Sequence, residues 1–376
     1  MKILYVEPFY GGSHKTWIES YIKYSKHTVQ TLTLPGWNWK WRMHGGAITL
    51  ADQLNRLDCI PDMIICSDML NVPVFISLIR KQISNVPIVT YFHENQVAYP
   101  WSLVDADVKL NRDIHYFYIN QTTALASDHN LFNSKYNLDS FLSGLEKDYL
   151  NKMPDNQNIS SLSEIRDKSS IMYIGCELNI NYSKNQFKRD NDSPTILWNH
   201  RWEFDKNPNL FFKTLSRIKD KGIPFNLVIL GQSYRKMPDV FIEAKTKFRK
   251  EIIHYGYCDS YNDYIDWITK SDILPVTSNQ DFFGISIVEA AYMETLPILP
   301  NRLSYPEIFD INKNKDIFYK SDNDLYSILS YFLMNMKETK KRAQEIAKPL
   351  SRFSWLTMAN EYDNKLSSLY NQIRKV

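Results

Sequence analysis

Short apolar runs that alternate with amphipathic stretches extend along most of this 376-residue sequence. Most runs are four to seven residues long and apolar throughout, which is typical of parallel strands that are buried on both faces. The stretches between them have helical spacing, as in residues 207–221. The runs are 3–7, 29–34, 63–67, 88–93, 130–133, 171–175, 195–199, 226–231, 252–256, 273–277, 296–300 and 316–319. Repeated units of this kind predict an α/β fold with doubly wound sheets.

A polar segment at residues 179–194 separates the first six runs from the last six. We therefore predict two Rossmann-like domains, at residues 1–180 and 194–353, joined by a linker at 181–193. The amphipathic segment 354–376 is expected to form a helix that packs back on the first domain. Ligands of such sheets bind beyond the carboxyl ends of the strands, so a cleft faced by both domains is the expected site.

The composition excludes several classes of protein. Apolar residues make up 44% of the chain and charged residues 23%, which is typical of a globular protein and unlike a disordered or collagen-like one. The 45 basic and 42 acidic side chains give a net charge of +3. That is little for a protein that binds nucleic acid mainly by neutralising phosphates, so any contact with RNA would use a local patch.

The sequence also indicates a cytoplasmic protein. The cysteines at 59, 66, 176 and 258 form no C-x-x-C pair, which favours reduced thiols. Residues 1–8 contain an acid where a signal peptide would still be apolar. Polar residues interrupt the most apolar long window, 60–79, so we expect no membrane span. The sequence predicts no oligomeric state.

Five of the eleven glycines follow predicted strands, at Gly11, Gly12, Gly231, Gly256 and Gly284. Glycine at a strand-to-helix turn lets backbone N–H groups approach a phosphate, although a tight turn alone can also require it. Neither G-x-G-x-x-G nor a Walker P-loop occurs, which disfavours NAD binding and ATP hydrolysis. The serine-hydrolase elbow and the H-E-x-x-H zinc motif do not occur either.

Two cations, Arg201 and Lys206, stand five residues apart just after the run 195–199. A guanidinium fork and an ammonium on such a turn can clamp the diphosphate of a leaving nucleotide. A solvated charge pair at a helix start is the alternative interpretation.

Two acids, Asp281 and Glu289, flank a Phe-Phe-Gly turn in the segment Asp-Phe-Phe-Gly-Ile-Ser-Ile-Val-Glu. We expect Asp281 at the start of a helix, facing the cleft. Glu289, two turns later, can accept two hydrogen bonds from a ribose diol.

Taken together, the pairs Arg201/Lys206 and Asp281/Glu289 resemble the motif of the retaining GT-B glycosyltransferases of family 4. The resemblance implies a two-domain GT-B fold, no divalent metal and no cofactor other than a nucleotide-sugar donor. It implies that Arg201 and Lys206 bind the diphosphate and that Glu289 binds the ribose. Asp281 stands where the family usually has Glu. The resemblance also implies that backbone N–H groups bind phosphate or sugar at Phe283, Gly284 and Ile285.

Blocks in the first half are similar to the tRNA-queuosine mannosyltransferases. The blocks are Glu-Pro-Phe-Tyr-Gly-Gly-Ser-His-Lys at 7–15, Trp-Asn-Trp-Lys-Trp-Arg at 37–42, Tyr-Phe-His-Glu-Asn-Gln at 91–96 and Phe-Asn-Ser at 132–134. This resemblance implies GDP-mannose as the donor. It implies as acceptor the cyclopentene-diol of queuosine in a tRNA anticodon, of the tRNA-Asp type.

Beside the resemblance, the residues of these blocks suggest roles of their own. His93, at a predicted strand end with Glu94 beside it, can orient the transferred sugar or help the acceptor hydroxyl lose its proton. We predict that His93, Glu94 and Asp281 are catalytic. A hydrogen-bonded structural histidine is the alternative for His93.

The first strand-to-helix turn and the basic segment supply further binding candidates. Gly11, Gly12 and Ser13 are expected to close the donor phosphate pocket, unless the turn is merely tight and capped by the serine. Gly231 is expected on the donor side as well. The predicted acceptor residues are His14, Trp37, Trp39, Trp41, Lys40, Arg42, Asn95 and Gln96.

The tryptophans at 37, 39 and 41 alternate with cations at 40 and 42. Aromatic planes interleaved with cations suit stacking on anticodon bases, and alternation also fits a strand with one buried apolar face. Three D-x-D pairs, at 105/107, 190/192 and 322/324, fall in polar stretches, and we expect no metal there.

Two other functions stay open at this point. One is a transferase of the same fold that acts on a lipid or a cell-envelope glycan. The other is a tRNA-binding module that has lost catalysis, for which Asp281 in place of Glu is the best support.

Overall fold

The computed structural model describes residues 1–57, 60–83, 85–101, 114–178, 193–232 and 237–375. The chain forms two compact units. Unit 1 comprises Met1–Gly175 and Trp355–Val376, and unit 2 comprises Cys176–Ser354. The predicted linker 181–193 lies outside the described residues except for residue 193. The cysteine at 59 and the D-x-D pairs at 105/107 and 190/192 also lie outside them.

Unit 1 is built on a six-stranded parallel sheet in the order β2-β1-β3-β4-β5-β6. The strands are β1 (Lys2–Tyr10), β2 (Thr28–Pro35), β3 (Met63–Ser67), β4 (Ile88–Phe92), β5 (His129–Phe132) and β6 (Ser169–Ile171). Every residue of β3 and β4 is buried, because helices cover both faces of a doubly wound sheet. That burial explains why these strands are apolar runs rather than alternating ones.

The helices of unit 1 connect these strands. They are α1 (Gly12–Tyr24), α2 (Trp39–Leu54), α3 (Val72–Ile83), α4 (Ile114–Ala126), α5 (Lys135–Gly144) and α6 (Ser161–Asp167). The start of α2 corrects one sequence interpretation, since Trp39 to Arg42 form the first helical turn and not a strand. Asn38 adopts the left-handed conformation, with φ of 53°, immediately before the helix, and Asn tolerates that conformation better than most residues.

Unit 2 repeats the architecture with a six-stranded parallel sheet in the order β12-β11-β10-β7-β8-β9. Its strands are β7 (Thr195–Asn199), β8 (Asn226–Leu230), β9 (Ile252–Gly256), β10 (Ile273–Pro275), β11 (Leu296–Pro300) and β12 (Phe318–Tyr319). Each of the predicted runs overlaps one of the strands in the two sheets. The predicted α/β fold with doubly wound sheets is therefore confirmed.

Three helices of unit 2 begin at a side-chain cap, supplied by Asn207, Ser260 and Ser321. The helices of this unit are α7 (Pro208–Asp220), α8 (Val240–Lys247), α9 (Tyr261–Lys270), α10 (Ile285–Tyr292), α11 (Tyr305–Ile308), α12 (Asp322–Met334) and α13 (Met336–Leu350). The third D-x-D pair opens α12, where Ser321 and Asp324 form a reciprocal capping box. Asp324 therefore caps the start of this helix by local hydrogen bonds.

The last helix, α14 (Trp355–Ile373), belongs to unit 1. Its Asp363 accepts hydrogen bonds from the hydroxyl groups of Tyr21 and Ser25, at 2.8 and 2.6 Å, and from the amide of Lys26 at 2.8 Å. Its Tyr362 hydroxyl accepts a hydrogen bond from Trp17 Nε1 at 3.1 Å. Within the described ranges, no helix is long and apolar enough to cross a membrane.

Candidate functional site

Lys206 is a buried cation that lies just after β7, in the short 3₁₀ turn Phe204–Lys206. Its Nζ atom donates to the carbonyl oxygen of Gln280 at 2.7 Å and lies 3.3 and 3.4 Å from carboxylate oxygens of Asp205 and Asp281. The whole residue is only 8% exposed. The fold thus directs this ammonium inward, onto the turn that carries Asp281, rather than into solvent.

Arg201 differs from Lys206 in its freedom to move. Its side chain is 46% exposed and forms an ion pair with Glu203 at 3.2 Å. The guanidinium is thus much more accessible to solvent than the ammonium of Lys206, and its fork can turn toward a phosphate. The two cations of the motif are therefore one fixed and one adaptable group.

Asp281 is held in one orientation by two donors. Its Oδ2 accepts a hydrogen bond from the Tyr305 hydroxyl at 3.0 Å, in addition to the contact with Lys206 Nζ. Burial raises the pKa of Tyr305 well above its usual value, so the tyrosine keeps its proton and remains a donor. Asp281 thus joins the start of α11 to the turn of Lys206.

Gly284 makes the turn that begins α10. It has a φ of 92°, in the left-handed region, and a Cβ atom there would lie 3.1 Å from Cε1 of Tyr305. Only glycine meets both conditions without strain. The amide groups of a first helical turn have no acceptor within the helix, so Gly284 and Ile285 are suitably placed to present N–H groups to an anion, and Phe283 directly precedes them.

Glu289 lies on α10 and is partly buried. Its Oε2 accepts a hydrogen bond from the Tyr264 hydroxyl at 3.0 Å, and that hydroxyl accepts one from Asn199 Nδ2 at 3.0 Å. Burial raises the pKa of Glu289 to about 7, against the hydrogen bond from Tyr264. The carboxylate is thus oriented by α9 and by the end of β7, and it titrates near neutral pH.

Gly231 brings the ends of β8 and β7 together. It has a φ of 131°, and a Cβ atom would collide with the carbonyl oxygen of His200. His200 is buried, and burial together with the charge of Lys206 lowers its pKa to about 3. The sequence analysis did not single out His200, which is a neutral side chain beside the cations.

In unit 1, the centre of the candidate site is a carboxylate that the sequence analysis did not select. Glu7 lies in β1 and is fully buried. Its Oε1 accepts hydrogen bonds from the amide of Phe9 at 2.8 Å and from Ser67 Oγ at 2.9 Å. Its Oε2 accepts from the Tyr5 hydroxyl at 2.9 Å and from His14 Nδ1 at 2.8 Å. We call Tyr5, Glu7, His14 and His93 the Glu7 cluster.

Two histidines of this cluster lie against each other. The ring centroids of His14 and His93 are 4.2 Å apart. Burial lowers the pKa of His14, but the charge and hydrogen bond of Glu7, together with the nearby Asp68 and Glu94, raise it to about 9. Burial and the neighbouring positive His14 lower the pKa of His93 well below its usual value. At neutral pH the pair is therefore one cation and one neutral ring.

The Glu7 cluster also meets a distance criterion for a metal site, since ligand atoms of Glu7, His14 and His93 lie within 4.8 Å of one another. A carboxylate offers about four acceptor positions, and those of Glu7 are used by Tyr5, His14 and the two donors to Oε1. A metal ion would have to displace these donors. The arrangement fits an ion pair within a hydrogen-bonded network.

The backbone of His93 is fixed by the ends of the neighbouring strands. Its amide donates to Asp68 Oδ1 at 2.9 Å, and its carbonyl oxygen accepts from Asn133 Nδ2 at 2.6 Å. Asp68 is fully buried, and burial raises its pKa well above the usual range. Asp68 was not selected from the sequence, although it directly follows β3.

The residues after His93 form a hydrogen-bonded loop. Asn95 is fully buried and donates to Asn137 Oδ1 at 2.8 Å, so its amide holds the loop to α5, and its contact with the acceptor stays a prediction. Gln96 is also buried, and its Nε2 donates to Glu94 Oε1 at 2.7 Å. This bond orients Glu94, which is partly exposed.

At the first strand-to-helix turn, Gly11 precedes α1 and packs against Gly36, where an added Cβ would lie 3.1 Å from the Gly36 Cα. Gly11 occupies the capping position, with no side-chain hydrogen bond to the helix. The alternative that Ser13 caps the helix is therefore wrong. Gly12 and Ser13 are exposed in the first turn.

The tryptophans of the basic segment have different environments. Trp37 is 61% exposed and Trp41 is 76% exposed. Trp39 instead packs on Tyr116, with ring centroids 5.0 Å apart, beside a buried cluster that includes Met43. Lys40 Nζ lies 5.6 Å from the centroid of the Trp39 ring. Within the basic segment 37–42, the exposed aromatic rings are therefore those of Trp37 and Trp41.

Arg42 directly follows Trp41 in the sequence, and its Nε donates to the carbonyl oxygen of Pro35 at 3.2 Å. The sequence has no Asp or Glu between Glu19 and Asp52. The segment that carries the exposed rings is therefore free of acidic side chains of its own.

Comparison with known proteins distinguishes the two halves of the chain. Residues 2–176 match the family model for the N-terminal part of tRNA-queuosine alpha-mannosyltransferase, and residues 179–349 match the model for glycosyl transferases group 1. The tRNA-queuosine alpha-mannosyltransferase of Drosophila melanogaster is 31% identical over 374 residues, which cover 96% of this chain and 95% of that protein. This chain belongs to the tRNA-queuosine alpha-mannosyltransferase family. Members of this family share a glycosyltransferase domain, and the predicted resemblance is confirmed.

Solved structures show that this family member has the GT-B fold. A glycosyltransferase from Rickettsia africae superposes with a TM-score of 0.68 at 18% identity, covering 100% of this chain and 98% of that chain. The sucrose-phosphate synthase of Thermosynechococcus elongatus superposes with a TM-score of 0.70 at 13% identity, covering 99% and 100%. At such low identity the likeness concerns the fold alone.

Proposed function

We propose that this protein transfers mannose from GDP-mannose to the cyclopentene-diol of queuosine in a tRNA anticodon. The observation that carries the proposal is the match of the chain, over nearly its whole length, to a protein named tRNA-queuosine alpha-mannosyltransferase. The proposal includes retention of configuration, a cytoplasmic location and no resident cofactor. The geometry of the two units supports it in the following ways.

The donor is assigned to unit 2. Cleavage of a glycosyl–phosphate bond builds positive charge on the sugar ring and negative charge on the departing diphosphate. Lys206 supplies a fixed positive charge, and Arg201 supplies a mobile fork that can grip two phosphate oxygens. The long contacts of Lys206 Nζ with Asp205 and Asp281, at 3.3 and 3.4 Å, are ones that a phosphate oxygen can replace.

The nucleoside end of the donor is assigned to α10. Glu289 is oriented by Tyr264 and can accept two hydrogen bonds from a ribose diol when it is ionised. The amide groups at the start of α10, beyond Gly284, suit a phosphate or sugar oxygen because a helix start carries partial positive charge.

The transferred sugar and the acceptor are assigned to unit 1. His93 is a neutral imidazole at neutral pH, and a neutral ring can accept a hydrogen bond from a sugar or diol hydroxyl. The exposed rings of Trp37 and Trp41, next to Arg42, suit stacking on unpaired bases and contact with their phosphates.

One experiment tests the whole proposal. The protein is incubated with GDP-mannose, or with other nucleotide sugars, and with tRNA that contains or lacks queuosine, and the nucleosides are analysed by mass spectrometry. We expect a hexose on queuosine with GDP-mannose only. Equal transfer to queuosine-free tRNA, or transfer only from another nucleotide sugar, would overturn the assignment of acceptor or donor.

A calorimetric titration with GDP-mannose adds a second measurement. Binding of the donor is expected for the transferase. A protein that binds tRNA but shows no heat of binding with any nucleotide sugar would be an inert tRNA-binding module.

A further inference from the structure

The hydrogen bonds of the Glu7 cluster determine which nitrogen of His93 carries the proton. The Tyr5 hydroxyl has one proton, and it is donated to Glu7 Oε2 at 2.9 Å. The contact between the Tyr5 oxygen and His93 Nε2, at 3.2 Å, therefore requires that Nε2 be the donor. In a neutral imidazole the other nitrogen, Nδ1, then carries the lone pair.

The charge on His14 keeps His93 in that neutral form. Three acidic groups lie near the two rings, namely Glu7 on β1, Asp68 after β3 and Glu94 after β4. The bond from His14 Nδ1 to Glu7 Oε2 makes His14 the protonated ring. Its positive charge, 4.2 Å away between ring centroids, opposes a second proton on His93.

We propose that Glu7 is a positioning residue of the transfer site, which acts through Tyr5 and His14 to leave Nδ1 of His93 as the acceptor for a substrate hydroxyl. This inference rests on the proposed function only for the identity of that hydroxyl, which belongs to the donor sugar or to the acceptor diol. Glu7 itself is fully buried and touches no substrate. Glu7 affects the reaction in two ways: through Tyr5 it sets which nitrogen of His93 carries the proton, and it keeps His14 positively charged.

The variant Glu7→Gln keeps the shape of the side chain and removes its charge. Without that charge, burial is expected to lower the pKa of His14 from about 9 to below the ordinary histidine value of about 6.5. We expect the rate of hexose transfer at saturating tRNA to fall about 10- to 100-fold, with little change in the KM for tRNA. Loss of the positive charge on His14 should also raise the pKa of His93, so the acidic limb of the pH–rate profile should move to higher pH.

The variant Tyr5→Phe removes only the link between Glu7 and His93. We expect a smaller loss of transfer rate and an unchanged acidic limb, because the bond between Glu7 and His14 remains and His14 keeps its charge. The matched control is Glu164→Gln, which removes the same charge from a side chain that is 61% exposed and paired with Lys168. This control should transfer hexose at the wild-type rate.

A measurement that needs no turnover separates this inference from the proposed function. In protein labelled with ¹⁵N-histidine, the nitrogen shifts should show His93 with its proton on Nε2 and His14 protonated on both nitrogens. If the wild type transfers no hexose to queuosine tRNA but shows these shifts, only the proposed function fails. A proton on His93 Nδ1, or unchanged rate and pH profile in Glu7→Gln, would overturn the inference.

Discussion

The charged groups of the candidate sites in unit 1 and unit 2 differ in how tightly the protein itself binds them. In unit 1, the Glu7 carboxylate is saturated by four donors at 2.8 to 2.9 Å. In unit 2, Lys206 is buried, but its two carboxylate contacts are 3.3 and 3.4 Å long, and Arg201 is half exposed. Unit 1 is thus arranged before any ligand binds, whereas unit 2 keeps weak internal contacts that an anionic ligand can replace.

The largest effect is expected from Lys206→Ala, which tests whether the loose contacts in unit 2 serve an anion. Loss of one preorganised charge opposite a developing negative charge costs about 100- to 1,000-fold in rate, and the variant should also lose affinity for GDP. The measurements are hexose transfer by mass spectrometry and GDP binding by calorimetry. Circular dichroism checks the fold, since Asp205 and Asp281 lose their buried partner.

The control for that prediction is Lys213→Ala, which removes an exposed lysine of the same unit, paired with Asp322 at 3.4 Å. It should behave as the wild type. A wild-type rate of transfer by Lys206→Ala would mean that Lys206 has a structural role only. The weak contacts of unit 2 would then have no part in catalysis.

A smaller effect is expected from Arg201→Ala, because the guanidinium is half exposed and its partner Glu203 remains partly in contact with solvent. We expect transfer to fall about tenfold, as for the loss of one hydrogen bond to a charged group, with unchanged thermal stability. A rate as low as that of Lys206→Ala would show that Arg201 is fixed in the bound state.

Glu289→Gln tests the donor site of unit 2 through the pH dependence of stability and of GDP affinity. The pKa of Glu289 is raised from about 4.5 to about 7 by burial, so its charged form is destabilised in the folded chain. The free energy of unfolding should therefore fall as pH rises from about 4.5 to 7 in the wild type, and fall less in the variant. Affinity for GDP should rise through pH 7 in the wild type only, as measured by calorimetry. Parallel pH curves for both proteins would contradict the assigned role.

Trp41→Ala in unit 1 is expected to affect tRNA binding and to leave the reaction of the donor unchanged. Loss of one stacking ring should weaken tRNA binding about tenfold and leave donor hydrolysis unchanged, since the side chain is exposed. The control is Trp39→Ala, whose ring packs on Tyr116 and whose loss should lower the melting temperature. Unchanged tRNA binding by Trp41→Ala would move the acceptor surface elsewhere.

The sequence predicted the features that depend on local spacing. The strands were predictable because burial on both faces makes them apolar throughout, as in β3 and β4. The motif residues of unit 2 were predictable because Arg201 and Lys206 lie on one turn, and Asp281 and Glu289 flank one glycine turn. That Lys206 would contact the carbonyl oxygen of Gln280 was not predictable, since the two residues come from different strand ends.

The Glu7 cluster was missed because it is assembled from distant segments. Glu7 meets Ser67 from β3, and Tyr5 meets His93 beyond β4, and no local pattern encodes those pairings. One signal was present: an acid directly follows the apolar residues 3–6 in the first run. A buried carboxylate in a central strand requires partners, and that requirement could have marked Glu7 as a site residue.

The helix α14 gives unit 1 a dependence on synthesis order. Its Asp363 and Tyr362 supply acceptors to Tyr21, Ser25 and Trp17 of the first helix region. These partners are separated by more than 330 positions in the chain, with all of unit 2 between them. During translation these hydrogen bonds cannot form until the chain as far as Asp363 has been synthesised, so Trp17 and Tyr21 lack these partners until unit 2 has been made.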